Sequence, residues 1–153
     1  CRPGGKVMIQ DLDGQLLWHY PEDDALNQSI QKCLDYAKDN LGFDPFVGRK
    51  LYSHLLSFGL ADIDVNVEPY HLFPGRIDKK NLRLWEMKFE IIMPAVVAAL
   101  GSEKEASRFC NHYLSYLQRE DTLTYSMVFT VSGVKPSQAK GAGQHALSIQ
   151  IIH

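Results

Sequence analysis

Two carboxylates one residue apart, Asp11 and Asp13, close the apolar run Val7, Met8, Ile9. In an open α/β sheet the carboxyl end of a buried strand opens into a crevice between loops, where ligands bind. A carboxylate there can hydrogen-bond an acceptor group or take its proton. The same pair equally suits a solvated cap on a turn through Gly14. Just beyond, the segment Leu16 to Pro21 (LLWHYP) is aromatic where a connecting loop would be polar. Trp18, His19 and Tyr20 could wall an apolar acceptor site, and packing against the first helix is the competing use of each. Arg49 opens a helical segment and could bind an anionic group. Pairing with Asp44 is the favoured use, because a cation sits poorly at a helix amino terminus and needs a local carboxylate. Tyr70 and His71 end an alternating segment beside Pro74 and Gly75, where they could rim a cavity or pack as ordinary turn aromatics. The six histidines form no ligand cluster, no H-E-x-x-H is present, and Ser53-His54 lies on a helix without a strand-turn elbow. Neither a metal site nor a serine triad is signalled.

Composition bounds the reading. With 153 residues, 45% of them hydrophobic and 22% charged, the chain can build one ordinary core. A net charge of −2 leaves no basic surplus for nucleic acid or an anionic membrane. Cys1, Cys33 and Cys110 are odd in number and form no C-x-x-C pair, which suits a reducing compartment and no structural zinc. Cys33 and Cys110 fall on apolar helix faces and read as core fillers. No apolar run reaches the roughly 18 residues of a membrane span, and nothing at the start resembles a signal peptide, so a cytoplasmic protein is expected.

Three strands must position the candidate side chains. Lys6 to Leu12 reads as a short strand covered on both faces. Asp62 to Glu68 alternates, with Ile63, Val65 and Val67 facing one way, and reads as half exposed. Thr122 to Val134 puts Leu123, Tyr125, Met127, Phe129 and Val131 on one face, and its length predicts a central strand. Between the first two, the spacing of Leu26, Ile30, Cys33, Leu34 and Ala37 predicts a helix over Asp24 to Asn40, capped by Asp23 or Asp24 and followed by Gly42. A second runs from Gly48 to Phe58, with Leu51, Tyr52, Leu55 and Leu56 on one face and Gly59 as its stop. Residues 79 to 119 are helical, with a core stripe from Leu82 through Trp85, Phe89, Val96 and Leu100. Pro94 is expected to kink or split that stripe, and Ser102 to Glu105 forms a capping box before the last helix. Residues 1–136 make one domain, and 137–153 a linker followed by an edge strand or a disordered tail. The first strand is expected to expose an edge, covered by that tail or by a second copy of the chain.

Three pieces in order carry a resemblance: Arg2 to Asp13 (RPGGKVMIQDLD), the helix opening Gly48 to Leu51 (GRKL), and Phe58 to Tyr70 (FGLADIDVNVEPY). With the closing stretch Asp121 to Pro136, they resemble the later half of class I S-adenosylmethionine-dependent methyltransferases, over roughly residues 2 to 136. The resemblance implies an α/β, Rossmann-like partial sheet. Its three strands would be the fifth, sixth and seventh of that family, the last inserted antiparallel between the other two, with helical insertions around a substrate cavity. It also implies S-adenosylmethionine as cofactor, held by an earlier glycine-rich loop and an acidic residue that this sequence does not contain. Gly141 to Gly143 follows no buried strand and is no substitute. The chain then reads as the substrate side of an enzyme for a small-molecule acceptor, not competent alone, whose substrate-binding candidates are Asp11, Asp13, Trp18, His19, Tyr20, Arg49, Tyr70 and His71. The rival is a non-catalytic module whose helices 79 to 119 offer an apolar face to a partner or a second copy. A different α/β enzyme would need a closed pocket joining Asp11, Asp13 and Tyr70.

Overall fold

The computed structural model describes residues 1–137. Strands β1 (Lys6–Tyr20), β2 (Ala61–Pro74) and β3 (Leu123–Val134) form one sheet in the order β1-β3-β2. β3 is antiparallel to both neighbours, so β1 and β2 run parallel to one another. That is the expected arrangement of the three strands. The register sets Ile9 and Val65 beside Val131, and Asp13 and Pro69 beside Met127. Both outer strands then lose register opposite the same residue. β1 resumes at Trp18 and β2 at Leu72, each beside Tyr125, so both breaks flank Ser126.

The breaks divide the sheet into two parts with different covers. Side chains alternate between faces along a strand. After α1 (Asp24–Leu41), a single 3-10 turn (Gly48–Lys50) leads into the short helix α2 (Leu51–Ser57), which covers the face of Phe129 and Val131. Its Leu51 and Leu55 make a small core with Val131, Phe129 and Ile63. The face of Thr124 and Ser126 carries α1, α3 (Lys79–Leu100) and α4 (Glu103–Tyr116). These three build the larger core, with Leu26, Ile30, Trp85, Phe89, Phe109 and Tyr113 at its centre.

The helices begin and end for local reasons. The Asp23 carboxylate accepts the Leu26 N–H at 2.9 Å, and Gly42 closes α1 in the left-handed region at φ 66°. Asp78 caps α3 by accepting the Asn81 N–H at 2.9 Å, and Ser102 caps α4 by accepting that of Glu105 at 3.2 Å. Of the kink or split expected at Pro94, the split does not occur: α3 runs through it as one helix of 22 residues. Pro94 and Glu90 are both exposed, so the carbonyl left without a donor faces water.

Four further expectations need correction. β1 does not stop at Leu12: it continues to Tyr20, and the segment read as an aromatic loop rejoins β3 opposite Tyr125, Thr124 and Leu123. The strand absorbs the extra residues as an irregularity between Asp13 and Trp18, with Gly14 at φ 72°. Second, the apolar run of β1 is not covered on both faces, since Met8 is 70% exposed and Ile9 38%. Among the described residues β1 pairs only with β3, leaving its outer edge open. Third, β2 extends to Pro74, so Tyr70 and His71 lie within the strand at its irregularity and not at its end. Fourth, Tyr52 and Leu56 turn to solvent, because a helix of seven residues lays only Leu51 and Leu55 on the sheet. Of the linker and tail expected over 137–153, residues 138–153 lie outside the described residues.

Candidate functional site

Asp13 is buried under the turn that leads into α2. A Cβ on Gly48 would stand 2.9 Å from Phe129 and 3.0 Å from the Asp13 Cβ, so only glycine lets the turn come this close. The approach delivers the Arg49 backbone N–H to Asp13 Oδ2 at 2.9 Å. The guanidinium reaches both oxygens, with Nε 2.9 Å from Oδ2 and Nη2 2.5 Å from Oδ1. Arg49 therefore pairs with Asp13 and not with Asp44, whose carboxylate takes Lys50 and the Phe46 N–H instead. The reason is register: Asp13 is the carboxylate directly beneath the turn, while Asp44 lies before it. Burial opposes ionisation of Asp13, but the hydrogen bonds and charge of Arg49 outweigh it and hold the carboxyl below the usual aspartate range. With its oxygens occupied by Arg49 donors, Asp13 is an anchor and not a base.

Beside this pair, Trp18 stacks on Tyr125 with ring centroids 6.3 Å apart and planes 14° from parallel. Asp13, Trp18, Arg49, Tyr125, Met127 and Phe129 line a shallow, open concavity on the α2 face. Of the residues singled out from sequence, it unites three. Asp11 is exposed, spends its Oδ1 on the Leu12 N–H at 2.7 Å, and lies outside the lining. His19 points to the opposite face, where it is buried against Tyr116 with ring centroids 4.9 Å apart. Tyr20 is 71% exposed and Tyr70 58% exposed, the latter edge-on to His71 at 4.3 Å.

His71 belongs to a second site that the sequence reading missed. Its Nδ1 is 3.3 Å from the Ser126 Oγ and its Nε2 3.4 Å from the Lys88 Nζ. Burial, and then the charge of Lys88, push its pKa down to about 4, so the ring is neutral at pH 7. The Lys88 ammonium also sits 4.3 Å above the Trp85 ring, and burial lowers its pKa. From there a groove runs between α1 and α3, lined by Cys33, Leu34, Ala37, Phe43, Trp85, Ile92 and Val96. Burial pushes the Cys33 and Cys110 thiols up to about 11, in keeping with their reading as core fillers. The overlooked signal was spacing: Lys88 falls three residues after Trp85 and four before Ile92, on the edge of the apolar stripe.

Among the described residues, no group of three His, Cys, Asp or Glu could hold a metal ion, and no helix is long and apolar enough to cross a membrane. No family model matches the chain, and no curated protein does so either.

Proposed function

We propose that this chain is the acceptor-side part of a class I S-adenosylmethionine-dependent methyltransferase for a small molecule. One observation carries the reading: an antiparallel strand lies between two strands that run parallel to each other. This is the order the sequence resemblance implies for the last three strands of that sheet. Both outer strands shift register beside Ser126 and re-pair with β3 beyond it, where the sheet carries the helical cap of α1, α3 and α4.

The described residues do not fit the cofactor itself. A cradle for it needs glycines whose missing side chains leave room for a ligand. Here a Cβ on Gly14 would collide with Trp18 Nε1 at 1.6 Å, and one on Gly48 would meet Phe129 and Asp13. Protein fills both spaces, so neither glycine forms such a cradle. What these residues can do is present an acceptor. The Trp18–Tyr125 stack offers a flat apolar ledge, suited to a ring-bearing compound, and the Asp13–Arg49 pair fixes the turn beside it.

Calorimetric titration of S-adenosylmethionine into this chain, and into one extended at its amino terminus, tests the reading. Binding by the extended chain alone is expected, and binding by neither overturns it. A second reading, a non-catalytic docking module, draws on the outer side of α3. Leu84, Met87 and Ile91 are 45%, 43% and 76% exposed there at helical spacing.

A further inference from the structure

The helical cap of α1, α3 and α4 holds a charge that the described residues leave without a carboxylate partner. Lys88 alone, among the lysines of the described residues, is not exposed. Yet no carboxylate of those residues comes within 4.0 Å of it, whereas Arg49, Lys50, Arg76, Arg83, Arg108 and Arg119 each have one. Withdrawing an ammonium from water costs free energy unless an anion or other acceptors replace the lost hydration. The His71 Nε2, at 3.4 Å, and the Trp85 face replace part of it. An ammonium has three N–H donors, so these two neighbours do not exhaust it.

The space that Lys88 borders is apolar and of ligand size. Its volume is about 390 Å³, within the roughly 300–1,000 Å³ of ordinary small-molecule sites. Cys33, Ala37 and Phe43 from the α1 side, with Trp85 and Ile92 from α3, form walls on which the only ionisable nitrogen is that of Lys88. The guest these walls match best is apolar along most of its length and carries a single negative charge at one end.

We propose that the groove between α1 and α3 binds a small amphipathic carboxylate, its apolar body between Ala37 and Ile92 and its carboxylate on the Lys88 ammonium. His71 orients that ammonium by accepting a hydrogen bond from it at Nε2. The site is separate from the Trp18–Tyr125 ledge, which lies on the other face of the sheet, and it stands whether or not the chain belongs to a methyltransferase.

The test is titration calorimetry of the whole chain with decanoate, 1-decanol and decylammonium below their micellar concentrations. Decanoate is expected to saturate one site and to bind more tightly than either of the others. Lys88→Met should weaken decanoate about tenfold and leave decanol unchanged, because a charge-assisted hydrogen bond is lost while the apolar walls remain. Lys88→Arg should stay within about threefold of wild type, since it keeps the charge. Lys88→Glu should reverse the preference toward decylammonium. Ala37→Trp, which fills the groove, should abolish binding of all three probes while the thermal unfolding transition persists. Non-saturating uptake of decanoate by the wild-type chain, or equal decanoate affinity in wild type and Lys88→Met, overturns the proposal. If Ala37→Trp does not fold, the charge reversal by Lys88→Glu decides it.

Discussion

The two faces of this sheet each draw one charged side chain out of water, the Asp13 carboxylate on one and the Lys88 ammonium on the other, and they treat it in opposite ways. On the α2 face Arg49 meets Asp13 in a two-pronged pair, closed further by the Arg49 backbone N–H. On the cap face Lys88 meets a neutral imidazole and an indole ring. The first arrangement is complete within the chain and belongs to the architecture: it ties the turn before α2 to β1. The second is incomplete, and incompleteness is what a binding site requires before its ligand arrives. An ion pair found at a site inferred from sequence is thus weaker evidence for ligand binding than a buried charge that lacks one.

The largest expected effect breaks the complete pair. Arg49→Leu leaves the buried Asp13 carboxylate with a single backbone donor and should lower unfolding stability at pH 7 by about 3 kcal/mol, measured by urea denaturation. A loss under about 1 kcal/mol would make the pair incidental and remove the contrast. Acid should then separate the two faces by pH window. The folded pKa of His71 is about 4 against 6.5 in the unfolded chain. Between those values the unfolded chain takes up a proton that the folded one refuses, so stability falls as pH drops from 6.5 toward 4. The loss from His71 is on the order of 1 kcal/mol, less than the full shift would give, because the ring is only partly withdrawn from water. Asp13 acts lower. Its folded pKa lies below 3.8, so its contribution is intact above that pH and disappears as pH falls through the folded value. Denaturation curves at stepped pH should show His71→Gln flattening the upper window and Arg49→Leu reducing the loss in the lower one. If His71→Gln leaves the upper window unchanged, the imidazole is not the group that resists protonation.

Much of the framework was legible because local chemistry dictated it. The caps at Asp23 and Ser102, the stops at Gly42 and Gly59, and the central position of β3 all follow from residue type and period. The site was less legible, for a physical reason. Whether Trp18, His19 and Tyr20 form a loop or a strand depends on how β1 absorbs its extra residues beside Ser126, and that is decided by pairing with a strand more than a hundred positions away. The partner of Arg49 was misread on the same ground. Asp44 is near in sequence, but the close approach permitted at Gly48 makes Asp13 nearer in space. Lys88 carries no sequence signal of its own because a lysine on a helix is ordinarily a solvated residue, and it is His71 on β2 and the Trp85 ring that cover this one.

The smallest expected effect sharpens the comparison most. If Lys88 were a structural residue like Arg49, its removal should cost stability of similar size. If it is a site waiting for an anion, the gain from relieving a part-buried charge should offset the loss of its contact with Trp85, which is worth roughly 0.5–1 kcal/mol. Lys88→Met keeps the apolar stem, so packing changes little. Its unfolding stability at pH 7 should therefore stay within about 1 kcal/mol of wild type, while Arg49→Leu falls by about three times as much. The acid response should shift as well. Without Lys88 nearby, one of the two causes that depress the His71 pKa is gone, and the upper window should narrow toward 6.5 as the imidazole protonates more easily. An NMR titration of the His71 ring protons in wild type and Lys88→Met reads this directly. An unchanged midpoint would mean that the ammonium does not face the imidazole, and the contrast between the two faces would lose its second half.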